Sequence, residues 1–296
     1  MTAVDTFSAQ TAAPPSRGRR LLLAILAMLA VGIAVFADAL WIEPNWIEVT
    51  HYDIPGKVTS PIKIAQITDL HTNGLGRREL HVIRILDQEK PDIILITGDS
   101  LSPWNPSYAE VQEVYERLHA PLGVWFVRGN FENWKLVPHE RAFYANAGVH
   151  LLLNTGALVR PDLWLAGVDD SFTGKPNPDA ALAGAPPDAF KILMFHAPAY
   201  FDEVAGRVNL CLAGHTHGGQ VRVPFMAPLW MPKGCWPYVS GWYQSGNTKM
   251  YVSRGVGMSM LPIRFDCRPE VTILTIHPET ELNDRRSAAL IAEAER

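Results

Sequence analysis

The chain has few cysteines, little charge of one sign and only one long hydrophobic run. The three cysteines, Cys211, Cys235 and Cys267, form no C-x-x-C pair. That excludes a disulfide framework and a zinc ribbon, and the thiols read as scattered buried residues. Lys and Arg number 26 against 30 Asp and Glu, a formal net charge of -4. That balance gives no electrostatic reason to expect a nucleic-acid partner. No H-E-x-x-H helix is present, so a zinc peptidase does not fit. No G-x-S-x-G elbow is present, so a serine hydrolase fits less well still. There is no internal repeat. With 48% hydrophobic residues, the chain is not disordered throughout.

The one hydrophobic run is Leu21 to Ile42, 22 residues with a single acid, Asp38. At 1.5 Å per residue, a helix of that length crosses a bilayer. Arg17, Arg19 and Arg20 precede it. Glu43, Glu48 and Asp53 follow it, with no Lys or Arg before Lys57. The positive-inside rule then places residues 1–20 in the cytoplasm. The larger part lies on the periplasmic or other extracytoplasmic side of an inner membrane. Trp41 and Trp46 stand where interfacial aromatics belong. A cleaved secretory signal also fits: Arg19-Arg20-Leu21-Leu22-Leu23 looks like a twin-arginine signal, and Ala37-Asp38-Ala39 has the A-x-A form of a cleavage site. The segment 21–42 is therefore a transmembrane anchor or a signal peptide, with export after cleavage near Ala39 in the second case.

From residue 45 the pattern is α/β. Residues 45–60 read as an extended lead-in. Apolar strands are expected at 62–68, 92–97 and 123–127, with helices at 77–89 and 107–120 between them. Short buried strands alternating with helices imply a parallel sheet. In such sheets ligand groups gather beyond the C-terminal ends of the strands. Further strands are expected within 157–167 and at 190–195, 209–213, 249–253, 262–265 and 271–276. Residues 170–189 read as a loop or poor helix, 218–247 as a long structured loop, and 278–296 as a polar tail.

Five apolar segments each end in residues suited to a divalent ion. The blocks are Asp69-Leu70-His71, Gly98-Asp99, Gly129-Asn130, Phe195-His196 and Gly214-His215-Thr216-His217. One such block is usually a cap or a satisfied core group, but five in succession point to a metal centre. In Asp69-x-His71 and His215-x-His217, alternate residues of an extended segment would point the same way. Asp99 is the natural bridge, because a carboxylate has two oxygens. The glycines leave room for backbone near the metals.

These blocks resemble the calcineurin-like metallophosphoesterase superfamily, whose pattern is D-x-H, G-D, G-N-H-D/E, a lone H and G-H-x-H. The resemblance covers roughly 60–277. Tyr251-Val252-Ser253-Arg254-Gly255 and Leu261-Pro262-Ile263-Arg264 look like its bacterial YkuE/YaeI-like branch, related to UDP-2,3-diacylglucosamine pyrophosphatases. The resemblance implies a four-layer α-β-β-α sandwich of two mixed sheets over 45–277, behind one N-terminal hydrophobic helix. It implies two divalent ions (Mn, Zn or Fe). Asp69, His71, Asp99 and His217 would hold one; Asp99, Asn130, His196 and His215 would hold the other. A hydroxide bridging ions about 3.5–4 Å apart would attack phosphorus in line. Asp99, Asn130 and His71 are the expected catalytic residues, with Asn130 touching the phosphoryl group.

One position departs from the pattern. After Asn130 the family has His, and this chain has Phe131, then Glu132. Phe131 cannot protonate a leaving oxygen. Either the leaving group is already good, or His71, Glu132 or His150 supplies the proton. Arg254 reads as a structural ion pair rather than a phosphate contact. Trp134, Trp230, Trp236, Trp242, Met226, Met231 and Phe225 are candidates for a greasy approach, with ordinary loop packing as the plain alternative. The expected function is an extracytoplasmic phosphodiesterase acting on a phosphorylated small molecule, glycan or lipid. A UDP-2,3-diacylglucosamine-type lipid pyrophosphatase and a metal-dependent phospho-ligand binding protein are the alternatives.

Overall fold

A computed structural model describes residues 16–281. Two units are distinguished, one ending at Asp38 and the other beginning at Ala39. In the first, helix α1 (Arg17–Ala37) is the expected apolar helix, with no buried residue among its 21. It is long and apolar enough to cross a membrane or to serve as a signal segment.

The second unit is a mixed α/β sandwich. Its first sheet has the order β1 (Glu48–Gly56), β12 (Glu270–Pro278), β2 (Ile62–Ile67), β3 (Ile93–Ile96), β4 (Val124–Phe126), β5 (Val149–Leu151). Strands β2 to β5 run parallel, while β12 is antiparallel to β2 and parallel to β1. The second sheet has the order β10 (Gly241–Ser245), β11 (Thr248–Val252), β9 (Leu210–Ala213), β8 (Phe190–Met194), β7 (Leu163–Gly167), β6 (Thr155–Arg160). Its middle strands are parallel and its edge strands β10 and β6 antiparallel.

Strand side chains alternate faces, and here both faces are apolar. In β2 and β3, Ile62, Ile64, Ile93 and Leu95 meet Leu165, Ile192 and Leu212 of the second sheet. Their neighbours Ala65, Ile67, Ile94 and Ile96 face α2 (Arg77–Glu89), α3 (Tyr108–Tyr115) and, beyond the short α4 (Asn130–Trp134), α5 (Glu140–Asn146). On the outer face of the second sheet, Trp164, Leu193 and Cys211 meet α6 (Pro178–Leu182) and α7 (Phe201–Val204). Helix, sheet, sheet and helix layers result, as the resemblance implied. Helix α2 forms because Val82, Ile85 and Leu86 share one buried stripe, and Glu79 accepts from the Gly76 amide to close its first turn.

Several element expectations change. The lead-in at 45–60 contains a nine-residue strand, β1, paired in parallel with β12. It hides from pattern reading because it is an edge strand with polar, partly exposed positions. The expected strand at 262–265 is absent: Phe265 makes one isolated bridge with Val221. Arg264 is fully buried there, donating to the carbonyls of Gly257, Cys267, Arg254 and Gly255, and a strand ladder would occupy those carbonyls. Helix α3 stops at Tyr115, short of 120. The poor-helix segment holds only α6, capped by Asn177. The polar tail from 282 lies outside the described residues.

Candidate metal centre

All five ligand blocks lie just past the C-terminal ends of parallel strands: β2 leads to Asp69 and His71, β3 to Asp99, β4 to Asn130, β8 to His196, and β9 to His215 and His217. Because the two sheets pack face to face, these ends converge. Asp69, His71 and His217 form one triad, and Asp99, His196 and His215 a second. Within each, the ligand atoms lie within 4.8 Å of one another. Asp99 Oδ2 is 3.1 Å from His196 Nε2 and 3.8 Å from His71 Nε2, between the triads. Asp69 Oδ1 lies 3.3 Å from His217 Nε2 and 4.0 Å from His196 Nε2.

The local backbone is not extended, as the x-spacing suggested. Asp69, His71, Asp99, His215 and His217 all have positive φ, between 42° and 69°. Each such conformation costs a non-glycine residue about 1–2 kcal/mol. Left-handed turns, not strand alternation, bring the pairs together. Two glycines permit the closeness: a Cβ at Gly129 would stand 2.1 Å from Asp99 Oδ1, and one at Gly214 2.1 Å from Thr68 Oγ1.

The imidazoles are oriented by backbone. His71 Nδ1 donates to Leu101 O at 2.7 Å, His196 Nδ1 to Thr97 O at 2.7 Å, and His215 Nε2 to Lys233 O at 3.0 Å. Each leaves its other nitrogen as a lone-pair donor, which is how ligating histidines are normally held. His217 lacks such a support: its Nδ1 is buried without a partner. Asp69 Oδ2 accepts from the His215 amide at 3.0 Å, and Asp99 Oδ1 from the Phe131 amide at 2.9 Å.

The donors fit divalent metal ions. Asp69 Oδ1 and Asn130 Oδ1 are buried with no hydrogen-bond partner, which is costly unless a cation meets them. Burial lowers His71 and His215 to about 3 and His217 well below its ordinary value, so these rings are neutral. Burial also raises Asp69, and raises Asp99 to about 7, against the pull of His196. Burial disfavours the charge on His196, yet Asp99 and Asp69 beside it outweigh this and raise its pKa. Two buried carboxylates thus demand positive charge. The clusters form a binuclear divalent-metal site.

Two of the three proposed proton sources are not placed for that task. Glu132 is buried, and its carboxylate accepts from the amides of Gly129, Asp99, Ser100 and Leu101 at 2.8 to 3.2 Å. It is a brace holding the β3 and β4 turns together. His150 is on β5, stacked on Trp125 at 4.3 Å, and does not line the site. His71 has its Nε2 among the ligand atoms. Phe131 packs edge-on to His71 at 4.9 Å and to Trp134 at 5.0 Å. Arg254 is the structural ion pair expected, with Glu270 at 3.1 Å and Glu48 at 2.8 Å. All three cysteines are buried and free.

A cavity of about 260 Å³ opens over Asp99, Asn130, His215 and His217. Its walls include Phe131, Trp134, Phe172, Trp230 and Met260, and Lys233 is its one Lys or Arg. The Lys233 ammonium sits over the Phe172 ring at 5.6 Å. A second cavity, about 340 Å³ and mostly apolar, shares Trp230, Pro232 and Met260 with it and extends to Val221, Leu229 and Leu261. Of the greasy candidates, Trp134 and Trp230 do line the approach. Trp242 instead packs on Tyr52 and Tyr251, Met231 is buried, and Phe225, Met226 and Trp236 are exposed outside both cavities. Sequence reading missed Phe172, Lys233 and Met260, which sit in loops without periodicity. The Pro-Lys-Gly run gave no sign of Lys233 as a site cation.

Residues 62–219 match the calcineurin-like phosphoesterase family, and the chain belongs to it. With its fold and paired His/Asp clusters, this is a catalytic metal-dependent phosphoesterase. It is closely related to bacterial proteins of the YkuE and YaeI type. It is 33% identical over 282 residues to the uncharacterized metallophosphoesterase YkuE of Bacillus subtilis (strain 168), covering 87% of this chain and 96% of that protein. It is 28% identical to phosphodiesterase YaeI of Escherichia coli (strain K12), covering 87% of this chain and 98% of that one. A Bos taurus transmembrane protein with metallophosphoesterase domain is 30% identical, over 78% of this chain and 56% of its own length.

Proposed function

We propose that the protein is a phosphodiesterase acting outside the cytoplasmic membrane on substrates with a good leaving group and an apolar substituent. The observation that carries this reading is the aromatic cavity over the metal centre, whose walls offer Lys233 as their one ammonium and no free carboxylic acid beyond the metal-site Asp99. A diester has one phosphoryl charge to meet and two substituents to accommodate. An apolar wall suits a substituent, and one ammonium suits one charge.

Asp69, His71, Asp99 and His217 hold one ion in this reading, and Asp99, Asn130, His196 and His215 the other. When bound, two such ions polarise phosphoryl oxygens and lower the pKa of water toward neutrality. The chain's own residues do the rest. Asp99 and Asn130 fix the phosphoryl group between the triads, and Lys233 meets an outer oxygen from the rim. Phe131 packs against His71 and excludes water, but cannot donate a proton. The leaving oxygen must therefore depart unprotonated, as a weak base. The relative named a phosphodiesterase is in line with this reading. The arginines before the apolar helix support the outward placement. The burial of Ala39, whose carbonyl accepts from the Arg264 amide at 3.0 Å, supports retention of the segment over cleavage beside it.

The test uses the full chain in detergent with Mn²⁺, an aryl phosphodiester and the matching aryl monoester. Diester turnover that Asp99→Ala lowers on the order of a thousandfold is expected. Metal and ligand binding without turnover would sink the enzyme reading, and a monoester preference of tenfold or more the diester reading. A C-terminal reporter fusion checks the side of the membrane.

A further inference from the structure

A further cavity lies away from the metal centre, where the catalytic unit begins. Ala39 O accepts from the Arg264 amide at 3.0 Å, and the buried Glu43 carboxylate accepts from the amides of Asp266, at 2.9 Å, and Cys267. The following residues are thus fixed to the unit, and Asn45 Nδ2 closes the turn on Trp41 O at 3.0 Å. Trp41 and Ile42 are nonetheless 65% and 56% exposed. Beside them stand Arg77, His81 and Arg84, spaced i, i+4, i+7 on one face of α2. Together Trp41, Ile42, Asn45, Arg77, His81 and Arg84 line an open cavity of about 390 Å³, with no acid in the lining.

The two arginines are idle. Among the described residues neither makes a hydrogen bond or an ion pair. Arg78, next to Arg77, instead turns one guanidinium nitrogen to Leu70 O, His71 O and Glu79. A guanidinium pair facing exposed Trp and Ile combines phosphate recognition with an apolar half. A few residues on, Trp46 is 57% exposed with the Arg268 guanidinium 4.1 Å over its ring. Only Asp38 separates this unit from the last residue of α1, Ala37. In a bilayer that α1 crosses, chain continuity puts Trp41 to Asn45 at headgroup level, where tryptophans gather and each basic residue gains from anionic lipid.

We propose that this cavity binds the headgroup phosphate of an anionic phospholipid, with Arg77 and Arg84 on the phosphate and Trp41 and Ile42 against the glycerol and first acyl carbons. The site is separate from the metal centre and independent of the substrate reading.

Native mass spectrometry of the full chain from mixed micelles of phosphatidylglycerol and phosphatidylcholine tests it, and the intact mass also reports whether α1 is retained. Preferential retention of phosphatidylglycerol is expected. Arg77→Gln and Arg84→Gln should each lower it about fivefold, and the double variant about twenty-fivefold, from roughly 1 kcal/mol per arginine. Trp41→Ala should weaken lipid retention further, and millimolar inorganic phosphate should not displace the lipid. Equal retention of both lipids, or no loss in a double variant whose circular dichroism is unchanged, would overturn the proposal. So would complete displacement by inorganic phosphate, which would mark a free-anion site.

Discussion

The floor of the metal site and its rim are built on opposite terms. On the floor every ligand candidate is buried, most are tied to backbone, and five of the seven hold left-handed conformations. On the rim, Trp134, Trp230 and Met260 are each more than half exposed, and Lys233 rests on a ring face. The floor is expensive, with buried carboxylates and strained turns that only a cation rewards. The rim is inexpensive and able to change. Under the proposed function, reaction class resides in the floor and substrate choice in the rim, and the two can vary separately.

The largest test of that division is Asp69→Asn. It keeps the shape and tolerates positive φ, but removes a buried charge. Turnover should fall on the order of a thousandfold, while stability of the metal-free protein should hold or rise because a desolvated carboxylate is gone. A loss under tenfold would erase the contrast. Next is Glu132→Ala, which orphans four buried amides. About 3 kcal/mol of stability should be lost in urea unfolding, and activity should drop with it. If stability changes by less than about 0.5 kcal/mol, Glu132 does not brace the floor.

Metal loading comes third. Mn²⁺ or Zn²⁺ at a hundredfold its dissociation constant should add about 2.7 kcal/mol to the stability of chelator-treated protein. Trp230→Ala should show the same gain, since the rim takes no part. A gain that vanishes in Trp230→Ala would merge the two regions.

The fourth test concerns the buried Glu270 and its partner Arg254. Burial works against the Glu270 charge, but Arg254 outweighs it and holds the folded-state pKa below the ordinary 4.5. A depressed acid stabilises above its unfolded pKa and loses that contribution as pH falls through the folded value. Arg254→Gln should raise the Glu270 pKa, remove about 2 kcal/mol at neutral pH and move the acid limb to higher pH. Urea midpoints from about pH 3 to 7 check this; an unmoved limb would contradict it. The smallest effect is expected for Phe131→His, roughly tenfold faster on poor leaving groups and little changed on good ones. A uniform effect would mean that Phe131 does not select the leaving group.

The floor was legible because chemistry left its mark on the residue order. Apolar strands ran into Asp99, Asn130 and His215, each after a glycine, and parallel topology gathers strand ends. Its conformation was not legible, since Asp-x-His spacing says nothing about φ. The rim was hardly legible at all. Phe172, Lys233 and Met260 come from three loops without period, and only tertiary packing brings them together. Strand β1 escaped for a related reason: its partner lies 222 residues further on, at Glu48 against Glu270, and local pattern carries no trace of so remote a pairing.

That pairing has a consequence for how the protein comes into being. Strand β12 lies between β1 and β2, so the first sheet has a gap until residues 270–278 arrive. A chain emerging N-terminus first can form β2 to β5 and their helices early, but must wait for β12 to join β1 to the rest. The Glu270 that steadies Arg254 arrives on the same strand. Asp69 and Asp99 can thus lie near each other before the sheet beneath them is closed. In an assembly that follows synthesis, closing this sheet comes late, and full metal retention should begin only then.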